Sequence, residues 1–166
     1  MQIRDERDED AAAVSRITAA AFATAPHSSG TEARIVEALR QAGAQTISLV
    51  ATSDDGCIVG HIAFSPVQID GATGRWYGLG PVSVAPGLQR QGIGGALIRG
   101  GLARLAALNA NGCVLLGDPA YYSRFGFVSD PTLTYGGTPS PYFQRLVLTG
   151  EPPKGDVRYH PAFDVA

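Results

Sequence analysis

Apolar and polar positions along this chain follow two different periods, and the switches between them predict the order of its elements. Gln2–Arg4 reads as a short first strand. Val14, Ile17, Ala21 and Phe22 recur at helical spacing, so a helix is expected there with Asp8 or Asp10 as its cap. The turn-rich run 25–30 ends it. Thr31 then caps a second helix, which turns Ile35, Val36 and Leu39 inward and stops at Gly43. Strand-like segments follow. Thr46–Thr52 and Cys57–Val67 are joined through Asp55-Gly56, and Asp70-Gly71 leads into a third strand over Trp76–Val84. These three form an antiparallel meander. Pro81 cannot donate to a ladder, so a bulge, an edge or another irregularity is expected near it.

The helical period returns over Gly92–Leu108, where Leu97, Ile98, Leu102, Leu105 and Leu108 share one face. The short apolar strand Cys113–Gly117 comes next, and strand, helix, strand implies a parallel crossover pair. Ala120–Phe125 reads as a short helix, Phe127–Val128 as the start of another strand, and Gln144–Leu148 as the last strand. Pro152, Pro153 and Pro161 make residues 151–166 an irregular tail packed on the same domain. The expected class is α+β: one twisted, mixed, mostly antiparallel sheet of about six or seven strands with helices on both faces.

Composition narrows the partners. The 166 residues fit one domain, and the net charge of −2 with 13 scattered basic residues gives no field for nucleic acid or an acidic membrane. Cys57 and Cys113 lie in apolar stretches and read as two reduced core thiols, with neither a disulfide framework nor metal-ligand spacing. The opening MQIRDERDED is too charged for a signal peptide. No apolar run approaches the ~20 residues of a membrane-spanning helix, so a cytoplasmic location is the default expectation.

The strongest chemical signal is the passage from Val82-Ser83-Val84 into Gln89-Arg90-Gln91-Gly92-Ile93-Gly94-Gly95-Ala96-Leu97. A strand runs into a glycine-rich turn that becomes the first turn of a long helix. The first N–H groups of a helix lack internal partners and carry the positive end of its dipole, so such an end accepts phosphate. Glycines at 92, 94 and 95 let oxygens approach the backbone, and Arg90 adds a charge-assisted contact. Other phosphate loops fit worse. A G-x-G-x-x-G begun at Gly92 would need its third glycine at Leu97, and no Gly-Lys-Ser/Thr is present.

Gln89-x-x-Gly92-x-Gly94 resembles the pyrophosphate signature of the Gcn5-related N-acetyltransferase (GNAT) family. Tyr121-Tyr122-Ser123-Arg124-Phe125-Gly126-Phe127 resembles that family's aromatic-Tyr-x-x-x-Gly-Phe segment, one helix and one strand further on. Within the family, residues 117–127 look most like the bacterial YhbS-type group. The resemblance implies the acyl-CoA N-acyltransferase fold over residues 1–150 and direct transfer of an acetyl group from acetyl-CoA to a primary amine, without a metal or a covalent intermediate. It places coenzyme A between the Val82–Val84 strand and the Cys113–Leu116 strand. Backbone of Val82, Ser83 and Val84 would lie along its pantetheine arm, Gln89 to Ala96, Ile93 included, would surround its pyrophosphate, and Phe125 would flank it.

By the same resemblance Tyr122 donates a proton to the departing thiolate, the alternative being an aromatic that packs on the pantetheine. Tyr121 is expected to pack. The base that takes the amine proton is left open between Glu32, His61, His27 and solvent; Glu32 is otherwise a capping or surface carboxylate. Asp118 is expected to cap the helix at Ala120. The acceptor is a small-molecule or peptide amine, and homodimers are common in such a family. A non-catalytic acyl-CoA-binding sensor or scaffold, or a transferase for a longer acyl group, stands as the alternative reading.

Overall fold

The structure, a computed structural model of the chain, describes residues 1–26 and 28–165. Its elements in chain order are β1 (Gln2–Asp5), α1 (Ala11–Phe22), α2 (Glu32–Gln41), β2 (Ile47–Thr52), β3 (Ile58–Ile69), β4 (Ala72–Val84), α3 (Ile93–Ala107), β5 (Gly112–Leu116), α4 (Pro119–Tyr122), β6 (Leu133–Tyr135), β7 (Phe143–Val147) and β8 (Gly155–Arg158). Short 3-10 turns lie at Asp8–Asp10, Ser123–Phe125 and Pro161–Asp164. The strands form one eight-stranded sheet in the order β1-β2-β3-β4-β5-β7, with β8 pairing both β3 and β6. All pairs are antiparallel except β4–β5 and β6–β8.

Strand alternation sorts side chains to the two faces. On one face Leu49, Ala51, Ile62 and Phe64 pack with Ile93, Leu97, Ile98 and Leu105 of α3. On the other, Val50 meets Val14 of α1 and Val36 of α2. Close packing under α3 depends on Gly101, where a Cβ would overlap the Phe64 ring. Helices therefore cover both faces, and α3 crosses between the parallel strands β4 and β5.

Several expectations change. The segment 151–166 is not an irregular tail. Thr134 Oγ1 and the Gly137 N–H both donate to the Asp156 carboxylate at 2.7 Å, and Val157 is buried, so Gly155–Arg158 is held as an eighth strand between its prolines. The strand expected at Phe127–Val128 reduces to one bridge, Val128 to Arg145. Cys57 is exposed beside the β2–β3 turn, and only Cys113 is a core thiol. Leu108 lies past the end of α3 and is half exposed. Asp10 sits at the start of α1 without capping it. Its carboxylate turns back to Arg4 (2.7 and 3.1 Å) and the Arg7 N–H (2.7 Å), because a bidentate guanidinium is a stronger partner than a neutral amide. Thr31 likewise makes no side-chain cap.

The irregularity expected at Pro81 is a bulge. Ile62 pairs with Val82 and Phe64 with Leu79, so Ala63 opposes both Gly80 and Pro81. Beyond it the sheet opens. β4 and β5 pair only over Trp76–Gly78 and Gly112–Val114, leaving 79–84 without a partner on that side.

Candidate functional site

The unpaired stretch of β4 has a defined polarity. The Ala85 N–H donates to Val59 O at 2.8 Å, so alternation also directs Ser83 toward β3 and turns the N–H and C=O of Val82 and Val84 to the open side. Gln89 Nε2 donates to the Val84 carbonyl at 3.3 Å and ties the loop to the strand end. Ser83 serves the opposite direction: its buried hydroxyl meets Thr18 Oγ1 at 3.2 Å.

The turn that follows is built on left-handed residues, Gly87 (φ 88°), Arg90 (φ 64°) and Gly92 (φ 87°). Gly92 is the N-cap of α3 and offers no side chain, and the first internal bond runs from the Ala96 N–H to Gly92 O at 3.0 Å. Ile93, Gly94 and Gly95 thus present N–H groups with no acceptor among the described residues. A Cβ on Gly92 would meet nothing within 4 Å, and one on Gly94 would meet the Tyr121 hydroxyl and Val84 only at 3.7 Å.

A cavity of about 510 Å³ opens over these donors. The expected residues Val84, Gln89, Arg90, Gly92, Ile93, Gly94, Gly95 and Phe125 line it; Val82, Ser83, Gln91, Ala96 and Tyr122 do not. Arg99, Arg124, Leu88 and Tyr121 complete the wall and were not anticipated. The Arg124 guanidinium stacks over Tyr121 at 4.4 Å and Arg99 over Phe125 at 5.0 Å. The lining carries three guanidinium groups and no carboxylate, so the cavity suits a polyanion. Arg99 had a sequence signal: it lies one helical turn after Gly95, on the face the loop exposes.

Tyr122 belongs to the aromatic cluster behind this wall, 5.0 Å from Tyr121 and 5.9 Å from Phe127 between ring centres. Burial, then the neighbouring Tyr121, pushes its phenol up to about 12. Asp118 caps α4 as expected, accepting from the Ala120 N–H at 2.9 Å. Near the end of β5, Leu116, Gly117, Asp118 and Tyr142 line a second cavity of about 650 Å³.

The candidate bases sit apart from the cavity over the loop. Glu32 accepts from Ser28 Oγ (2.7 Å) and from the Ser29 N–H and Oγ (3.2 Å each). Burial would raise its pKa, but these bonds outweigh it and hold the carboxyl below its ordinary value. His61 is fully buried in β3, where its Nε2 lies 2.8 Å from Ser48 Oγ. His27 lies outside the described residues. Among the described residues no group of three or more His, Cys, Asp or Glu side chains could hold a metal ion, and no helix is long and apolar enough to cross a membrane.

Glu6, buried beside His61, is a charged group the sequence pattern concealed. Burial raises its pKa, yet His61, Ser48 and Arg40 outweigh that and bring it down to about 2. Its unfolded value is about 4.3, so the stability it contributes is complete above that pH and is lost as pH falls toward 2. Urea midpoints measured from pH 6 to 2 should drop over this window, and the drop should be smaller in Glu6→Gln than in wild type.

Residues 2–129 match the family described as the Acetyltransferase (GNAT) domain. The uncharacterized N-acetyltransferase YhbS of Escherichia coli K12 is 39% identical over 127 residues, covering 76% of this chain and 73% of the relative. Among solved structures, a GNAT family acetyltransferase from Brucella melitensis in complex with acetyl-CoA is 53% identical with a TM-score of 0.87, covering 98% of this chain and 97% of that one. Escherichia coli YhbS in complex with CoA is 35% identical with a TM-score of 0.87, over 99% of this chain and 92% of that one. With the loop, the splayed strands and the aromatic segment all carried by the matched region, the chain belongs to the GNAT acetyltransferase family.

Proposed function

We propose that this protein transfers an acetyl group from acetyl-CoA directly to a primary amine, through the specific residues assembled around the splay of β4 and β5. The observation that carries the reading is the carboxylate-free cavity, where the uncapped start of α3 meets Arg90, Arg99 and Arg124. The N–H groups of Ile93, Gly94 and Gly95 would hold the pyrophosphate, with the three guanidinium groups neutralising its charge and that of the ribose phosphate. Val82 and Val84 would pair with the pantetheine amides as a neighbouring strand does, and an N–H from this pair would polarise the thioester carbonyl. Acetyl-CoA supplies an activated acyl group when bound. Phe125 and Tyr121 shape the wall, and Tyr122 donates toward the departing sulfur. A lysine-like amine costs about 4–5 kcal/mol to deprotonate at pH 7, so attack calls for a proton acceptor, either a side chain or solvent. A cytoplasmic place of work goes with this reading, because acetyl-CoA is produced and consumed there.

Calorimetric titration with acetyl-CoA followed by an amine-library screen for thiol release tests it. Tight binding with acceptor-dependent release is expected. Binding without release on any amine would favour a sensor or scaffold, and preference for a longer acyl-CoA would reassign the donor.

A further inference from the structure

The layer between the sheet and α1 and α2 contains a polar chain that no part of the cofactor site explains. On β3 the residues facing this layer are His61, Ala63 and Ser65, since Ile62 and Phe64 face α3. Glu6, just after β1, is fixed to β2 by its N–H to Ser48 O at 3.0 Å. Ser48 Oγ donates to Glu6 Oε1 at 2.6 Å. A hydroxyl has one proton, so the 2.8 Å contact between Ser48 Oγ and His61 Nε2 is donated by the imidazole. The neutral ring therefore carries its proton on Nε2 and its lone pair on Nδ1. That Nδ1 is buried and has no hydrogen-bond partner among the described residues. A buried orphan acceptor on a wired imidazole needs an explanation, and a proton from the substrate supplies one.

The surroundings agree. His61 sits directly across from Ser83 on β4, and Ser83 meets Thr18 of α1. Two residues along β3, Ala63 opposes the bulge at Gly80 and Pro81, where a Cβ on Gly80 would meet nothing within 4 Å. The opposite end of the chain reaches a surface cavity of about 270 Å³ lined in part by Glu6, Ser48 and Arg40. The charged groups on the elements covering this face are Glu6, Arg40 and Glu37 in one linked set, the Arg4–Asp10 pair in another, and Arg16 of α1 with Glu32 and Arg34 of α2; of these, Glu6 is the one shown in contact with Ser48 and His61 among the described residues.

We infer that His61 Nδ1 receives the proton of the acceptor amine, with Ser48 and Glu6 orienting the ring. This rests on the amine-acetylating reading above. His61 takes one proton from R–NH3⁺ at Nδ1, keeps its Nε2–H on Ser48 throughout, and returns the Nδ1 proton to water once the product has left, which restores the starting tautomer. The freed nitrogen bonds the acyl carbon as the carbon–sulfur bond breaks, and the amine's second proton balances the one gained by sulfur. Glu6 and Ser48 are positioning residues, because they act through His61.

The test uses the whole protein with acetyl-CoA and an amine found by thiol release. His61→Gln should keep acetyl-CoA affinity, lose about 10²–10⁴-fold in kcat, and lose the acidic limb of the pH–rate profile. Ser48→Ala preserves the Glu6–Arg40 pair and should lower kcat with acetyl-CoA affinity unchanged, and the Nε2–H tautomer should no longer be fixed in its nitrogen-15 spectrum. Nitrogen-15 spectra of wild type, with the ring assigned by through-bond correlation to the His61 backbone, should show the Nε2–H tautomer and do not depend on any variant folding. An Nδ1–H tautomer overturns the proposal, as does a His61→Gln rate and acidic limb equal to wild type. Wild type that binds acetyl-CoA but acetylates no amine overturns the functional reading first, and the relay with it.

Discussion

Gly94→Asp is expected to weaken acetyl-CoA binding at least ~100-fold while leaving the melting temperature near that of wild type. The two outcomes separate because of where the new side chain goes. A Cβ at residue 94 meets Val84 and the Tyr121 hydroxyl at 3.7 Å, an ordinary contact, so the helix can accept it. Gly94 has no left-handed φ to lose, whereas Gly92 does. The carboxylate then enters the cavity over the start of α3, where the proposed pyrophosphate would lie. Repulsion and loss of the charge-assisted bonds amount to about 3 kcal/mol, or roughly 100-fold. Isothermal titration beside a thermal melt reads both quantities. Wild-type affinity in a folded variant would remove the loop from the binding site.

Tyr122→Phe is expected to lower kcat by about 10²–10³-fold with little change in acetyl-CoA affinity. Tyr122 does not line the cavity over the loop, so loss of its hydroxyl leaves that contact set intact. Its ring is held by Tyr121, Phe125 and Phe127, and phenylalanine keeps this packing. With its pKa pushed up to about 12, the phenol is protonated throughout the neutral range. Full transfer to a free thiolate of pKa about 8.5 would be uphill by roughly 5 kcal/mol. The hydroxyl therefore works best as a hydrogen-bond donor to sulfur while the bond to carbon is breaking and the sulfur is more basic. Tyr121→Phe is the matched control and retains the ring beneath Arg124. An unchanged kcat in the Tyr122 variant, with the chemical step shown to limit the rate, rejects the donor role. A collapse of affinity at constant kcat makes Tyr122 a binding residue.

The parts of this molecule that a local pattern encodes were readable from the chain. The meander turns at Asp55-Gly56 and Asp70-Gly71, the strand-to-helix loop at Gln89–Gly95 and the leucine face of α3 each depend on neighbours within a few residues. The features that escaped depend on distant partners. β8 is four residues among prolines, and only its pairing with β3 and β6 makes it a strand. Arg99 and Arg124 look like ordinary surface charges until Phe125 and Tyr121 are seen beneath them. Glu6 and Asp10 hide in the charged run MQIRDERDED, yet their carboxylates go inside, because Ser48 and Arg40 meet Glu6 across the sheet and Arg4 meets Asp10. Glu32 neither enters the cavity nor caps α2; Ser28 and Ser29 of the preceding loop bind its carboxylate, a contact that helical spacing does not show.

The bulge and splay give residues 82–85 an unusual property for one continuous strand. Ala85 donates its N–H to Val59, and alternation commits the Ser83 N–H to β3 in the same way, while those of Val82 and Val84 face outward. Successive amides should then trade their protons for deuterium at contrasting rates, slow at 83 and 85 and fast at 82 and 84. An acyl-CoA arm lying along the outward side would slow only the fast pair. Isotope exchange at these four positions is therefore an occupancy gauge internal to the backbone, readable without turnover and before any acceptor amine is known.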